Sequence, residues 1–165
     1  MDFPNPPGAI AKRAPTAETR TVRRLLLATN NPGKVREFRR LLRDAPVEVV
    51  TPADLGLSLD VAEDGASYAA NAALKARAFA EAGGCLALAD DSGIEVDALD
   101  GRPGMYSARY GGAGLDDADR TNLLLRELER VPGGRRGARY RAVVAVAAPG
   151  GEGHTASRRL SCIQS

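Results

Sequence analysis

Apolar runs in this chain are short, and each one ends in a turn after which the spacing changes. Arg24–Thr29 holds Leu25, Leu26, Leu27 and Ala28 in succession, the composition of a buried strand. Over Lys34–Arg43 the period becomes helical: Val35, Phe38, Leu41 and Leu42 share a face, and Arg36, Arg39, Arg40 and Arg43 lie elsewhere. Val47–Thr51 is apolar again and is closed by Pro52, which predicts a second strand. Ser67–Ala82 is a long alanine-rich helix ended by Gly83-Gly84. Cys85–Ala89 predicts a third strand leading into Asp90-Asp91-Ser92-Gly93, and Ile94–Leu99 a further short one. Gly101–Gly114 is a glycine-rich loop, and Asp117–Val131 a helix with Leu124, Leu128 and Val131 on one side. Arg139–Ala148 is a strand with alternation in its first half. Strands and helices interleave without an internal repeat, which places the chain in the α/β class with a mixed sheet.

Composition narrows this only a little. A chain of 165 residues with 44% hydrophobic positions suits one globular domain. No apolar run approaches the roughly 18–20 residues of a membrane span. The net charge of +2, with dispersed basic residues and few aromatics, argues against nucleic acid or a membrane surface as partner. Two cysteines, Cys85 and Cys162, fit a reduced, cytoplasmic protein better than a disulfide scaffold. Residues 1–21, rich in Pro and Ala, are expected to form a flexible extension.

The polar junctions carry the chemistry. Thr29-Asn30-Asn31-Pro32-Gly33-Lys34 joins a strand to a helix, where free backbone N–H groups and the helix dipole favour an anion. Gly33 permits close approach and Lys34 adds a point charge. The turn is not a Walker A loop, since Val35 stands where a magnesium-binding Ser or Thr belongs. A phosphate site and a merely capped polar turn both remain open on this stretch alone. Only three of the 23 basic residues are lysines: Lys12, Lys34 and Lys75. Lys75 shares a helical stripe with Ser67 and Asn71, bordering the apolar face. That stripe faces a cleft or is a solvated flank with a snorkelling lysine. Glu63-Asp64-Gly65 precedes the helix and Asp90-Asp91 ends a buried strand. Adjacent strand residues point to opposite faces, so one of Asp90 and Asp91 enters any given cleft. Acids beside phosphate-seeking lysines imply a bridging cation, and magnesium fits; the competing reading is an Asx-type turn. The loop Gly101–Gly112, with its arginines and tyrosines, is either a clamp for a charged ligand or a connection. His154, with no evident partner, reads as a solvated side chain.

Together, "LLLATNNPGKVREF", "EDGASYAANAALKARAFAEAGG", "LALADDSGIEVDALDGRPGMYSARYGG" and "RYRAVVAVAAPGG" resemble the non-standard purine nucleoside-triphosphate pyrophosphatases, the inosine triphosphatase-like family. The resemblance runs from about Val22 to Thr155. It implies an α/β fold with a mixed twisted sheet flanked by helices, two lobes with a central cleft, and a homodimer. It implies hydrolysis of dITP, ITP or XTP to the monophosphate and pyrophosphate with Mg2+. By motif, Thr29, Asn30, Asn31, Pro32, Gly33 and Lys34 would hold the triphosphate, and Lys75 would join them. Glu63 would be a metal-binding acid, Asp91 the base and second metal partner, and Ser92 a substrate contact. The resemblance departs near the end. The F-G-Y-D-P and S-H-R segments, which serve the base pocket, do not occur, and "SRRLSCIQS" follows Ala156. The expectation is therefore a 22–156 domain lacking its C-terminal part and a non-family tail at 157–165. The alternative function is an impaired fragment that retains only phosphate and metal binding or subunit association.

Overall fold

The computed structural model of the chain describes residues 22–151 and 154–162, the latter by the course of their backbone. The expected flexible extension at 1–21 lies outside the described residues, as do the side chains of His154 and Cys162. The strands are β1 Arg23–Leu27, β2 Val47–Val50, β3 Leu86–Val96, β4 Ala138–Ala147 and β5 His154–Cys162. The main helices are α1 Pro32–Leu41, α2 Tyr68–Gly83 and α3 Asp117–Glu127. One five-stranded sheet has the order β2-β1-β3-β4-β5. β1 pairs in parallel with β2 and β3; β3–β4 and β4–β5 are antiparallel. The sheet is mixed, as the interleaved pattern predicts. β5 runs across the 156/157 boundary between the expected domain and tail.

Alternation along the strands separates two cores. Leu25, Leu27 and Leu88 face α1, where Val35, Phe38 and Leu42 pack on them. Leu26, Ala28, Val50, Ala87 and Ala89 face α2. Ala72, Ala76 and Ala80 are wholly buried there, and their small side chains let α2 lie close to the sheet beside Phe79. A third cluster, Val96, Leu99 and Leu128 with Ile94, Leu124 and Val131, builds a second lobe at the far ends of β3 and β4. Leu124, Leu128 and Val131 do share one side, although regular helix stops at Glu127. Leu41, expected on the buried face of α1, is 66% exposed. The i,i+4 pair Phe38 and Leu42 takes the contact instead.

The main departure from expectation is at Asp90-Asp91-Ser92-Gly93, which is no turn. β3 runs through it as one strand, and β4 pairs every residue from Ala87 to Val96. A long antiparallel partner overrides the local preference of Asp, Ser and Gly for turns. Gly93 serves a different purpose: a Cβ there would lie 2.1 Å from the Gly104 carbonyl oxygen. The loop after Gly101 sits directly on the strand, and its segment Gly104–Arg109 is a 3-10 helix rather than open loop.

Candidate active site

β1 and β3 are neighbours, but β1 leads to β2 over one face while α2 returns from β2 to β3 over the other. Such a switch point leaves a crevice beyond the carboxyl ends of the parallel strands. Here β1 stops opposite Leu88 while β3 continues for eight more residues. The edge of β3 that faced β1 thus loses its strand partner at Asp90, and from Ile94 onward the loop around Arg102–Ser107 takes it up.

The backbone records the consequence. The Leu88 carbonyl accepts the Ala28 N–H at 2.8 Å, the last bond from β1. Two residues on, the Asp90 carbonyl points the same way and finds no strand. Lys75 Nζ donates to it at 2.9 Å. The same ammonium pairs with Glu63 Oε1 at 2.5 Å. Lys34 Nζ approaches Asp90 from the α1 face and donates to Oδ2 at 2.6 Å. Two lysines from different helices therefore converge on one residue.

Asp91 faces the other way, toward α2. Its Oδ2 accepts from Asn71 Nδ2 at 3.0 Å, and the carboxylate is 6% exposed. Burial is the main force pushing the Asp91 pKa above the usual carboxylate range; the Asn71 bond opposes it, the Glu63 charge adds to it, and Lys75 opposes it. Glu63 also takes Arg109, whose Nη2 donates to the Glu63 carbonyl at 3.2 Å. The Arg109 Nη1 lies 3.9 Å from Glu63 Oε2.

The Thr29–Lys34 turn joins β1 to the start of α1 as expected, and it is capped from within. Asn31 caps α1, its Oδ1 accepting from Gly33 N at 2.8 Å and Lys34 N at 3.3 Å. Thr29 Oγ1 accepts from Asn31 N at 3.2 Å. Pro32 opens the helix, where its missing N–H costs nothing, and Asn30 and Pro32 are exposed. Ser92 lies on the Lys34 side of β3, 3.5 Å from Asp90 Oδ2 and 3.2 Å from the Tyr140 hydroxyl. The anticipated residues thus divide between the sheet faces, with Lys34 and Ser92 on one and Asp91 and Asn71 on the other. Lys75 reaches around the bare edge to join them.

Sequence reasoning did not assign Asp90, which both lysines bind, or Arg109, which approaches Glu63 from the loop. Period-2 spacing places Asp90 opposite Asp91 but says nothing of a strand ending beside it. Among the described residues no three His, Cys, Asp or Glu side chains cluster tightly enough to make a preformed metal cage. Glu63 and the desolvated Asp91, close enough for the Glu63 charge to raise the Asp91 pKa, are two carboxylates that could hold a cation together. That suits a hard cation that keeps waters and substrate oxygens as its other ligands.

Fold and site define a mixed α/β protein with a charge-balanced polar cleft at strand ends. The Ham1 family profile matches residues 25–161. A Desulforamulus reducens protein named dITP/XTP pyrophosphatase is 51% identical over 133 residues, 81% of this chain and 66% of that relative. One of the same name from Methylococcus capsulatus is 48% identical over 74% of this chain and 60% of its own length. Among solved structures, a HAM1 protein from Coxiella burnetii aligns at TM-score 0.75 and 31% identity, covering 84% of this chain and 71% of that one. The Staphylococcus aureus Ham1 protein aligns at TM-score 0.71 and 35% identity over 84% of this chain and 70% of its own. The chain belongs to the Ham1 family. It spans about two thirds of the length of the curated relatives it matches.

Proposed function

We propose that the protein hydrolyses non-standard purine nucleoside triphosphates (dITP, ITP and XTP) to the monophosphate and pyrophosphate, removing deaminated nucleotides before they enter nucleic acid. The observation that carries this reading is the meeting of Lys34 and Lys75 at Asp90, beside the Glu63 and Asp91 carboxylates. The names borne by the relatives support the substrate class. In this reading Thr29, Asn30, Asn31, Pro32, Gly33 and Lys34 cradle the polyphosphate through the helix N-terminus, and Lys75 and Ser92 add contacts. Lys34 and Lys75 leave their internal partners for phosphate oxygens and offset the charge that builds on them. Asp91 orients a water for in-line attack at the α-phosphorus and accepts its proton. The new P–O bond forms as the bond to the departing pyrophosphate breaks. Glu63 and Asp91 would hold magnesium, which when bound neutralises phosphate charge and makes water a stronger acid.

The protein acts in the cytoplasm as a homodimer on this reading. No described helix is long and apolar enough to cross a membrane. Pyrophosphate release from dITP and XTP with Mg2+, against dATP and dGTP, tests the proposal. Release from the deaminated nucleotides at least about tenfold faster supports it, a ratio within reach of modest pocket contacts. A second reading is binding of phosphate and cation without turnover, the two lysines being held by the internal partners Asp90 and Glu63. Nucleotide binding by calorimetry with no pyrophosphate released selects it.

A further inference from the structure

Asn71 is 1% exposed, and both ends of its carboxamide are committed. Its Oδ1 accepts the Gly65 N–H at 2.8 Å, and its Nδ2 donates to Asp91 Oδ2 at 3.0 Å. These partners fix the amide's orientation, since an N–H must meet an acceptor and a carboxylate a donor. Gly65 lies two residues beyond Glu63, so the Glu63 segment and the Asp91 strand are tied to opposite ends of one side chain. Ser67 caps α2 through Ala70 N at 3.1 Å and fixes the turn on which Asn71 sits. Lys75 follows Asn71 by one turn and pairs with Glu63 at 2.5 Å. The loop also has no slack: a Cβ on Gly65 would lie 2.6 Å from Asn71 Oδ1 and 2.8 Å from the Ala70 Cβ.

We propose that Asn71 is a positioning residue that holds the Glu63 loop and the Asp91 carboxylate at a fixed separation, so that the two acids act as one donor set for a divalent cation. This rests on the reading of Glu63 and Asp91 given above. Other side chains fail at the position for stated reasons. Aspartate sets a second carboxylate against Asp91. Alanine and serine are too short to span both partners. Glutamine displaces the amide by a methylene in a packed site.

The test uses the full chain with Asn71→Ala, Gly65→Ala and Asp91→Asn. Gly65 amide exchange is read without metal, Mn2+ affinity by paramagnetic resonance without nucleotide, and kcat and KM for dITP with Mg2+. In Asn71→Ala we expect Gly65 exchange to rise at least about tenfold. Mn2+ affinity and kcat should each fall about 10–100-fold, the usual cost of removing a group that orients metal ligands, with KM within about threefold of wild type. Gly65→Ala disturbs the same link from its other end and should give the same split. It decides the question if Asn71→Ala does not fold. A folded variant with free Gly65 exchange but wild-type Mn2+ affinity and kcat overturns the proposal, leaving Asn71 a purely structural residue. Asp91→Asn separates the two failures. If it keeps wild-type turnover, the reading of the site is wrong; if it is inactive while Asn71→Ala is fully active, only the role of Asn71 is.

Discussion

The two faces of β3 around Asp90 and Asp91 treat neighbouring carboxylates differently. On the α1 face, Asp90 has a direct ammonium partner in Lys34, one-third exposed at the mouth of the cleft. On the α2 face, Asp91 has a neutral amide from Asn71 and a like-charged neighbour in Glu63, so burial dominates its titration. The first carboxylate has its counter-charge in contact; the second has hydrogen bonds but no ammonium in contact. A desolvated acid of this kind is kept where the group does work that an ion-paired group would not do. The comparison separates a carboxylate with a direct ammonium partner, Asp90, from one with a neutral donor in its place, Asp91.

Replacing Asp91 should break the contrast most severely. Asp91→Asn is expected to lower pyrophosphate release at least about 10²-fold, the lower end for loss of a general base. The same variant should melt about 2 °C higher at neutral pH, as relief of a strained functional group commonly gives. The sign follows from its raised pKa. The folded protein holds the Asp91 proton more tightly than the unfolded chain, so stability falls as pH rises through the unfolded value of about 4 and toward the folded one. The melting advantage of the variant should therefore shrink in acid, which calorimetry across pH measures.

Lys75→Met keeps the stem and removes the ammonium, leaving the Asp90 carbonyl without its donor and Glu63 without its closest cation. We expect kcat to fall about 10–100-fold, the worth of a charged hydrogen bond. Lys34→Ala should be milder, weakening nucleotide affinity about tenfold in calorimetry, because its ammonium is the more exposed of the two. The smallest effect is expected at Tyr68. Its hydroxyl is buried and has no hydrogen-bond partner among the described residues. Burial, with the Glu95 and Asp91 charges, pushes its pKa up to about 12, so it remains a neutral phenol. Tyr68→Phe removes an unsatisfied polar atom and should leave activity unchanged while melting at the same temperature or up to about 2 °C higher.

The fold was legible where apolar spacing was long and glycine or proline closed the run. The shared face of Val35, Phe38 and Leu42 marked α1, and the alanine-rich run ended by Gly83-Gly84 marked α2, although the helices begin at Pro32 and Tyr68 rather than at Lys34 and Ser67. The merger of two expected strands into β3 was not legible, because the ladder with β4 is a long-range pairing that local turn preference opposes. Lys34, Glu63, Lys75 and Asp91 were legible as chemistry-bearing residues by type and motif. How they meet was not. It depends on β1 ending opposite Leu88, which exposes the Asp90 carbonyl, and no local pattern reports where a neighbouring strand stops.

The claim on which the account turns is that both lysines and both acids serve one polyphosphate. The direct measurement is a crystal structure with a non-hydrolysable deaminated purine triphosphate and Mn2+, the ion located by anomalous scattering. The account predicts Mn2+ bound by Glu63 and Asp91, with phosphate oxygens within hydrogen-bond reach of Lys34 and Lys75. A polyphosphate seated away from these four side chains, with the Lys34–Asp90 and Lys75–Glu63 pairs intact, would contradict it.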